Sequence, residues 1–348
     1  MPVISKKKIF YPINKAFRQY LKLYDRELDL PVSYDELKYY DNTIPLYDEK
    51  GEDTLWETVF YPQHLMSSIH RGLKRVYSIL KAGGDDTAEE HLYVERVDYC
   101  TFGNSHPFRI RIVNTYNDVY DYFYIKIADA SRIYGLELEH IVSPYLLNFF
   151  VDKNTLVEEH IAGVPGDSFI QGWMNNPDFN PKRIAKEFVK FNERCFVRLL
   201  GDMRSYNFVI DITPDFDDVQ FRIRGIDFDQ QFYEGKKNLY MPQFFKENEA
   251  FVNLVVQYLN ADVVRQYQQE ERASIARRMK AHRYRIRDLR DVVMTDKVST
   301  PEKIARLGHE LGRHYDDAVF TRCTTMGEII ERSLKRLLVR SLARRKYV

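Results

Sequence analysis

Two residues near the middle of the chain have types and a spacing suited to phosphoryl chemistry. In "LLGDMRSYNFVI", residues 199–210, Asp202 and Asn207 stand directly before a run that reads as a β-strand. Phosphoryl transfer needs a carboxylate beside the attacking hydroxyl and oxygen ligands for the hard divalent cations that neutralise phosphates. Asp202 can supply the first and Asn207 part of the second. The same residue types also close turns by satisfying backbone groups, so the pair alone leaves both roles open.

A second acid sharpens the choice. In "RGIDFDQ" a β-run ends in Asp227, followed by Phe228 and Asp229. An aspartate at the end of a buried strand is costly unless it is paired or binds a cation, which makes Asp227 a candidate metal ligand. A hairpin of "NFVIDI" and "VQFRIRGID" across "TPDFDD" would bring Asn207, at its start, beside Asp227, at its end. Lys126 lies in "YFYIKIAD", among large apolar side chains, where an ammonium needs a carboxylate or phosphate unless the strand is an edge with the lysine in solvent. Its carboxylate is expected from the following helix, "ASRIYGLELEHIVS". Glu137 neighbours Ile133 and Ile141 on an apolar flank and is preferred to Glu139.

The elements that must hold these residues change along the chain. Residues 1–90 read as a helical extension, with helical spacing in "NKAFRQYLKLYDREL" and "QHLMSSIHRGLKRVYSILKAGG" around a polar stretch; Gly83 and Gly84 mark a stop. From 91 to 161 three β-type runs form a meander, then comes the short helix ending at Pro144, then a hairpin around "DKN". Residues 162–348 are mostly helical, apart from the hairpin that carries Asn207 and Asp227.

Composition bounds the function. The 348 residues suffice for two domains or one two-lobed domain. With 52 Lys and Arg against 51 Asp and Glu there is no global field to recruit nucleic acid, and none is expected as a partner. Cys100, Cys195 and Cys323 stand apart without metal-ligand spacing, and "MPVISKKKIFYPINKAF" lacks the apolar core of a signal peptide, so a cytoplasmic setting is expected. The C-terminal "IIERSLKRLLVRSLARRKYV" sets Ile330, Leu334, Leu337, Leu338 and Leu342 against a basic face. It reads first as a helix docked with its basic side in solvent, and second as a peripheral contact with an anionic membrane.

The order of these parts resembles the protein kinase-like superfamily, nearest in motif to aminoglycoside and choline phosphotransferases. The resemblance covers residues 91–240 well and implies an α+β, two-lobed fold: a five-stranded antiparallel N-lobe with one helix and a mostly helical C-lobe, here with an N-terminal helical extension. "LGDMRSYN" looks like the catalytic loop HGDxxxxN, and "IDFD" like the metal-binding DFG or IDF segment. On that resemblance Asp202 is the base, Asn207 and Asp227 hold Mg²⁺, and Lys126, fixed by Glu137 with Glu139 in reserve, holds the phosphates of ATP. It further implies a hinge in "TLVEEHIAGVPGDSF", where backbone groups of Glu159 and Ile161 meet adenine and Asp167 approaches ribose. Gly103 and Ser105 of "TFGNSHPF" would cover the phosphates.

The departures are specific. Leu200 replaces the histidine of the protein kinase loop, Gly103 is a single glycine where protein kinases have several, and no APE-like segment follows Asp227. A regulated protein kinase is thereby disfavoured. The reading is an ATP- and Mg²⁺-dependent phosphotransferase acting on a hydroxyl acceptor, a small molecule or a lipid or sugar rather than a protein. The alternative is a pseudokinase scaffold working through partners. Neither the acceptor nor the oligomeric state is legible.

Overall fold

Alternating apolar residues within Leu92–Cys100, Phe108–Asn114 and Val119–Ile127 build an antiparallel meander, the centre of the first of two compact units. The computed structural model describes residues 8–101, 105–176, 179–215 and 218–344, without the side chains of 86–88, 215, 218 and 339–344. The sheet unit comprises Pro12–Asp129 and Leu147–His160; the helical unit comprises Met1–Tyr11, Ala130–Leu146 and Ile161–Val348.

In the sheet unit, α1 (Lys15–Leu23) precedes β1 (Asn42–Tyr47), β2 (Asp53–Phe60), α2 (Gln63–Ala82), β3 (Leu92–Cys100), β4 (Phe108–Asn114), β5 (Val119–Ile127), β6 (Phe149–Asp152) and β7 (Thr155–Glu159). The seven strands form one antiparallel sheet in the order β1-β2-β3-β4-β5-β7-β6. Residues 1–90 were expected to be helical, and β1 and β2 correct that reading. Their apolar residues fall at adjacent positions, Leu46–Tyr47, Leu55–Trp56 and Val59–Phe60, and Pro45 interrupts the first run, so neither shows a clean alternation in the sequence.

One face of the sheet is closed by α2. Its Ile69, Leu73, Val76 and Leu80 recur at helical spacing and pack with Val97, Ile110, Phe123 and Ile125 in one buried cluster. The helix stops at Gly83, whose φ of 63° is the left-handed conformation of a helix C-terminus. Because side chains alternate along β5, Phe123 and Ile125 enter this core while Tyr124 and Lys126 point to the opposite face.

The helical unit contains α3 (Ala130–Val142), β8 (Val164–Pro165), α4 (Gly166–Gln171), α5 (Pro181–Arg198), β9 (Phe208–Asp215), β10 (Asp218–Gly225) and five further helices. These are α6 (Glu249–Tyr258), α7 (Ala261–Ala281), α8 (Arg283–Val293), α9 (Pro301–Tyr315) and α10 (Met326–Arg344). Asn180 caps α5 by accepting from the Arg183 amide, Pro181 occupies its first turn, and the helix ends at Leu199 in a left-handed conformation. Strands β9 and β10 form a hairpin that pairs Phe208 with Gly225. The chain is thus α+β, with a seven-stranded antiparallel sheet and, among the described residues, ten α-helices. No helix among them is long and apolar enough to cross a membrane.

Candidate functional site

The turn after α5 places Asp202 by constraining its backbone from three sides. Its φ is +58°, a conformation few non-glycine residues adopt. The Asp202 amide donates to the Leu239 carbonyl at 3.1 Å, while its own carbonyl accepts from the Arg204 amide at 2.8 Å and from Asn207 Nδ2 at 2.7 Å. Leu200, where the resembling loop carries histidine, is fully buried and bridges to Gln231. Gly166 lets the turn approach: a Cβ there would lie 2.5 Å from the Ser205 carbonyl oxygen.

The Asp202 carboxylate is 19 % exposed and accepts from Arg204 Nε at 2.8 Å. Arg204 also reaches Glu247 at 2.6 Å. Burial pushes the Asp202 carboxyl up from 3.8 to about 6; Arg204 opposes the rise, and the charges of Asp227 and Glu247 add to it. Such a group changes charge near neutral pH, as a general base requires.

The β9–β10 hairpin forms as the sequence suggests and sets Asn207 beside the chain entering Asp227, with the Ile226 amide donating to the Asn207 carbonyl at 3.0 Å. Asp227 Oδ1 accepts from the Asp229 amide at 3.1 Å and from Arg132 Nη2 at 3.0 Å. Arg132 comes from α3, is 3 % exposed at its side chain, and also grips Asp229 at 2.6 Å. Helix and segment pack tightly: Ser131 Oγ donates to the Asp229 and Gln231 carbonyls, and a Cβ on Gly135 would fall 2.9 Å from Cβ of Phe228.

These donors fit magnesium chemically. Asn207 Nδ2 donates to the Asp202 carbonyl, so the oxygen of the same amide is not the atom engaged there, and it and the Asp227 carboxylate are the candidate hard ligands. Among the described residues no group of three or more His, Cys, Asp or Glu side chains gathers to hold a metal ion. An ion here would therefore complete its shell with water and phosphate, as magnesium commonly does.

Lys126 and Glu137, expected as a pair, belong to different units, and within its own unit each has a partner. Lys126 Nζ meets Glu158 Oε2 at 2.6 Å, with side chains 9 % and 5 % exposed, and lies 5.4 Å from the Tyr124 ring centroid. The pairing of Tyr124 with Glu158 on β5 and β7 puts Glu158 on the Lys126 face. Glu137 is bound by both Arg285 Nε, at 2.5 Å, and Arg285 Nη2, at 2.8 Å. Glu139 is ion-paired with Arg198; burial favours its neutral form, but Arg198 and Arg194 outweigh burial and hold its carboxyl below the usual range. Both acids of α3 thus serve the helical unit.

Of the remaining sequence-assigned positions, Ser105 and Glu159 belong to the sheet unit and Ile161 and Asp167 to the helical unit. Gly103 lies outside the described residues, and Ser105 sits half-buried in the turn before β4. Glu159 ends β7, its side chain binding Lys81 at 3.0 Å and accepting from the Asn148 amide at 3.0 Å. Ile161 is 7 % exposed. Asp167 lies in the first turn of α4 and accepts from the Ser168 amide at 2.8 Å, so its carboxylate serves its own helix. The described part of α10 is docked: Ile330, Leu334 and Leu337 are buried, and Arg332 and Arg336 both bind Asp317. Leu342 and the basic residues from Arg340 onward have side chains outside the described set.

Arg132, Arg204 and Glu158 did not emerge from the sequence as site residues. Glu158 had a signal, since its spacing on a strand next to β5 places it toward Lys126. The pairing of Arg132 had none, because its carboxylates lie 95 and 97 positions away.

No protein-family model matches the chain, nor does any curated protein. A solved structure of titin kinase and its flanking domains is similar over 70 % of this chain and 54 % of that one, with 12 % identity and a TM-score of 0.27. The chain therefore spans about half the length of that structure.

Proposed function

We propose that the chain is a phosphotransferase that moves the γ-phosphoryl group of ATP to a hydroxyl acceptor. One observation carries this reading: a half-buried carboxylate with a pKa of about 6, Asp202, shares a rigid turn with Asn207, and a hairpin brings that turn to Asp227. Support comes also from the order of elements in the sequence, with α3 between the meander and the β6–β7 hairpin.

In the proposed reaction the acceptor hydroxyl oxygen forms a bond to the γ-phosphorus while the bond from that phosphorus to the β–γ bridging oxygen breaks. ADP leaves and the hydroxyl proton passes to Asp202. Asp202 must orient the hydroxyl and be ionised at the start, which its Arg204 partner favours against burial. Asn207 and Asp227 would hold Mg²⁺, which when bound supplies charge neutralisation at the phosphates. Lys126, paired with Glu158 in its own unit, is proposed as a phosphate-binding cation. The proposed acceptor class is a small molecule, lipid or sugar hydroxyl.

A second reading, an inactive scaffold, is favoured by a different observation. Arg132 already places a positive charge on Asp227 Oδ1, where a metal would bind. Thermal shifts with ATP and Mg²⁺, ATP alone and Mg²⁺ alone, for wild type and Asp227→Ala, separate the two. A magnesium-dependent rise that disappears in the variant, accompanied by phosphoryl release, supports the phosphotransferase. Folded protein that gives no shift under any condition sinks it and leaves the scaffold.

A further inference from the structure

Four helices of the helical unit enclose a second feature that the phosphotransferase reading does not use. A cavity of about 220 Å³ is bounded by residues of α3, α7, α8 and α10. Its walls are apolar, with Tyr134, Met279, Val293, Ile330 and Leu334 between 0 and 7 % exposed. An apolar cavity of roughly 150 Å³ already suffices to bind benzene, so this one has room for a length of alkyl chain.

The same cavity is also lined by Arg283, Arg287, Arg290 and Lys335. Three of them are matched: Arg287 by Asp288 at 3.0 Å, Arg290 by Asp291 at 2.5 Å and Lys335 by Glu331 at 2.8 Å. Arg283 meets no carboxylate among the described residues. It lies over the Tyr284 ring at 4.7 Å and donates to that hydroxyl at 2.9 Å. Four cations against three carboxylates leave one positive charge beside an apolar hole, on a side chain that reaches solvent.

We infer that this cavity binds a single-chain fatty acid, the alkyl tail entering between the helices and the carboxylate meeting Arg283. The net surplus of one cation matches one monoanionic head, and a guanidinium binds a carboxylate through paired N–H donors. A bilayer surface is the poorer occupant, because most of the apolar walls are buried and only Ile286 and Leu338 are partly exposed, an opening suited to a slender chain.

Isothermal titration of the full chain tests this with decanoate, held below its micelle-forming concentration, beside 1-decanol and acetate. Saturation by one equivalent of decanoate is expected, with decanol weaker by roughly tenfold or more, as loss of a charge-assisted bond implies, and with no binding of acetate. Leu334→Trp fills the cavity and should abolish decanoate binding. Arg283→Glu lies on the surface, should leave the circular dichroism spectrum unchanged, and should weaken decanoate by tenfold or more. Folded wild-type protein that shows no saturable decanoate binding overturns the proposal, as does an Arg283→Glu variant with undiminished affinity. Binding only to vesicles containing phosphatidylglycerol, and not to decanoate, also overturns it and moves the basic residues to a membrane role.

Discussion

The guanidinium of Arg132 stands 3.0 Å from Oδ1 of Asp227 and 2.6 Å from Oδ1 of Asp229, so one buried cation of α3 fixes both acids of "IDFD". Removing it takes away the guanidinium that the two carboxylates share. Arg132→Met is expected to cost roughly 2–3 kcal/mol, less than the 3–5 of a fully buried pair because Asp227 is partly exposed. A divalent ion can then replace the lost positive charge, so Mg²⁺ should restore more stability to the variant than to the wild type. Urea midpoints with and without Mg²⁺ decide this, and equal increments for the two proteins would remove Asp227 from consideration as a ligand.

Asp202 makes stability depend on pH in a defined direction. Its carboxyl is raised by burial from 3.8 to about 6, so the folded state binds this proton more tightly than the unfolded state does. The associated stabilisation is complete below about pH 4 and is lost as pH rises through about 6. Asp202→Asn, a neutral isostere, should gain stability over the wild type above pH 7 and lose that advantage near pH 4. The difference corresponds to at most about 3 kcal/mol, and loss of the charge-assisted bond from Arg204 reduces the expected gain to about 1–2 kcal/mol. Urea denaturation at the two pH values, giving a constant difference between the proteins, would contradict the assigned rise.

The same substitution separates chemistry from folding. If Asp202 accepts the acceptor proton, Asp202→Asn should lower turnover by about 10²–10⁴ while the nucleotide-induced thermal shift persists. In the wild type kcat/KM should rise with pH to a plateau above about 6, following ionisation of this carboxyl. Turnover of the variant near the wild-type rate would take Asp202 out of the reaction.

What the sequence disclosed depended on how local each contact is. Asp202, Asn207 and Asp227 were legible because a turn and one hairpin connect them, and short-range spacing reports such geometry. The α2 stripe was legible because its apolar residues repeat with helical period. The fate of Glu137 was not, since the wheel showed that it faces inward but gave no sign of Arg285, which is 148 positions away. Strands β1 and β2 were missed for another reason: their apolar residues come in adjacent pairs, on both faces of a mostly exposed hairpin, so no period of two marks them.

The Lys126–Glu158 pair gives the remaining prediction, because it distinguishes a structural ion pair from a cation held ready for phosphate. With both side chains under 10 % exposed, Lys126→Met removes the cation paired with the buried Glu158 carboxylate and should cost about 3–5 kcal/mol. Lys126→Met combined with Glu158→Leu removes both charges and should recover most of that loss, since a well-packed apolar pair often replaces a buried ion pair without penalty. The double variant then reports function at near-normal stability. A phosphate-binding lysine predicts that it no longer shows a thermal shift with ATP and Mg²⁺, whereas a purely structural pair predicts an undiminished shift and would leave Lys126 with no part in nucleotide binding.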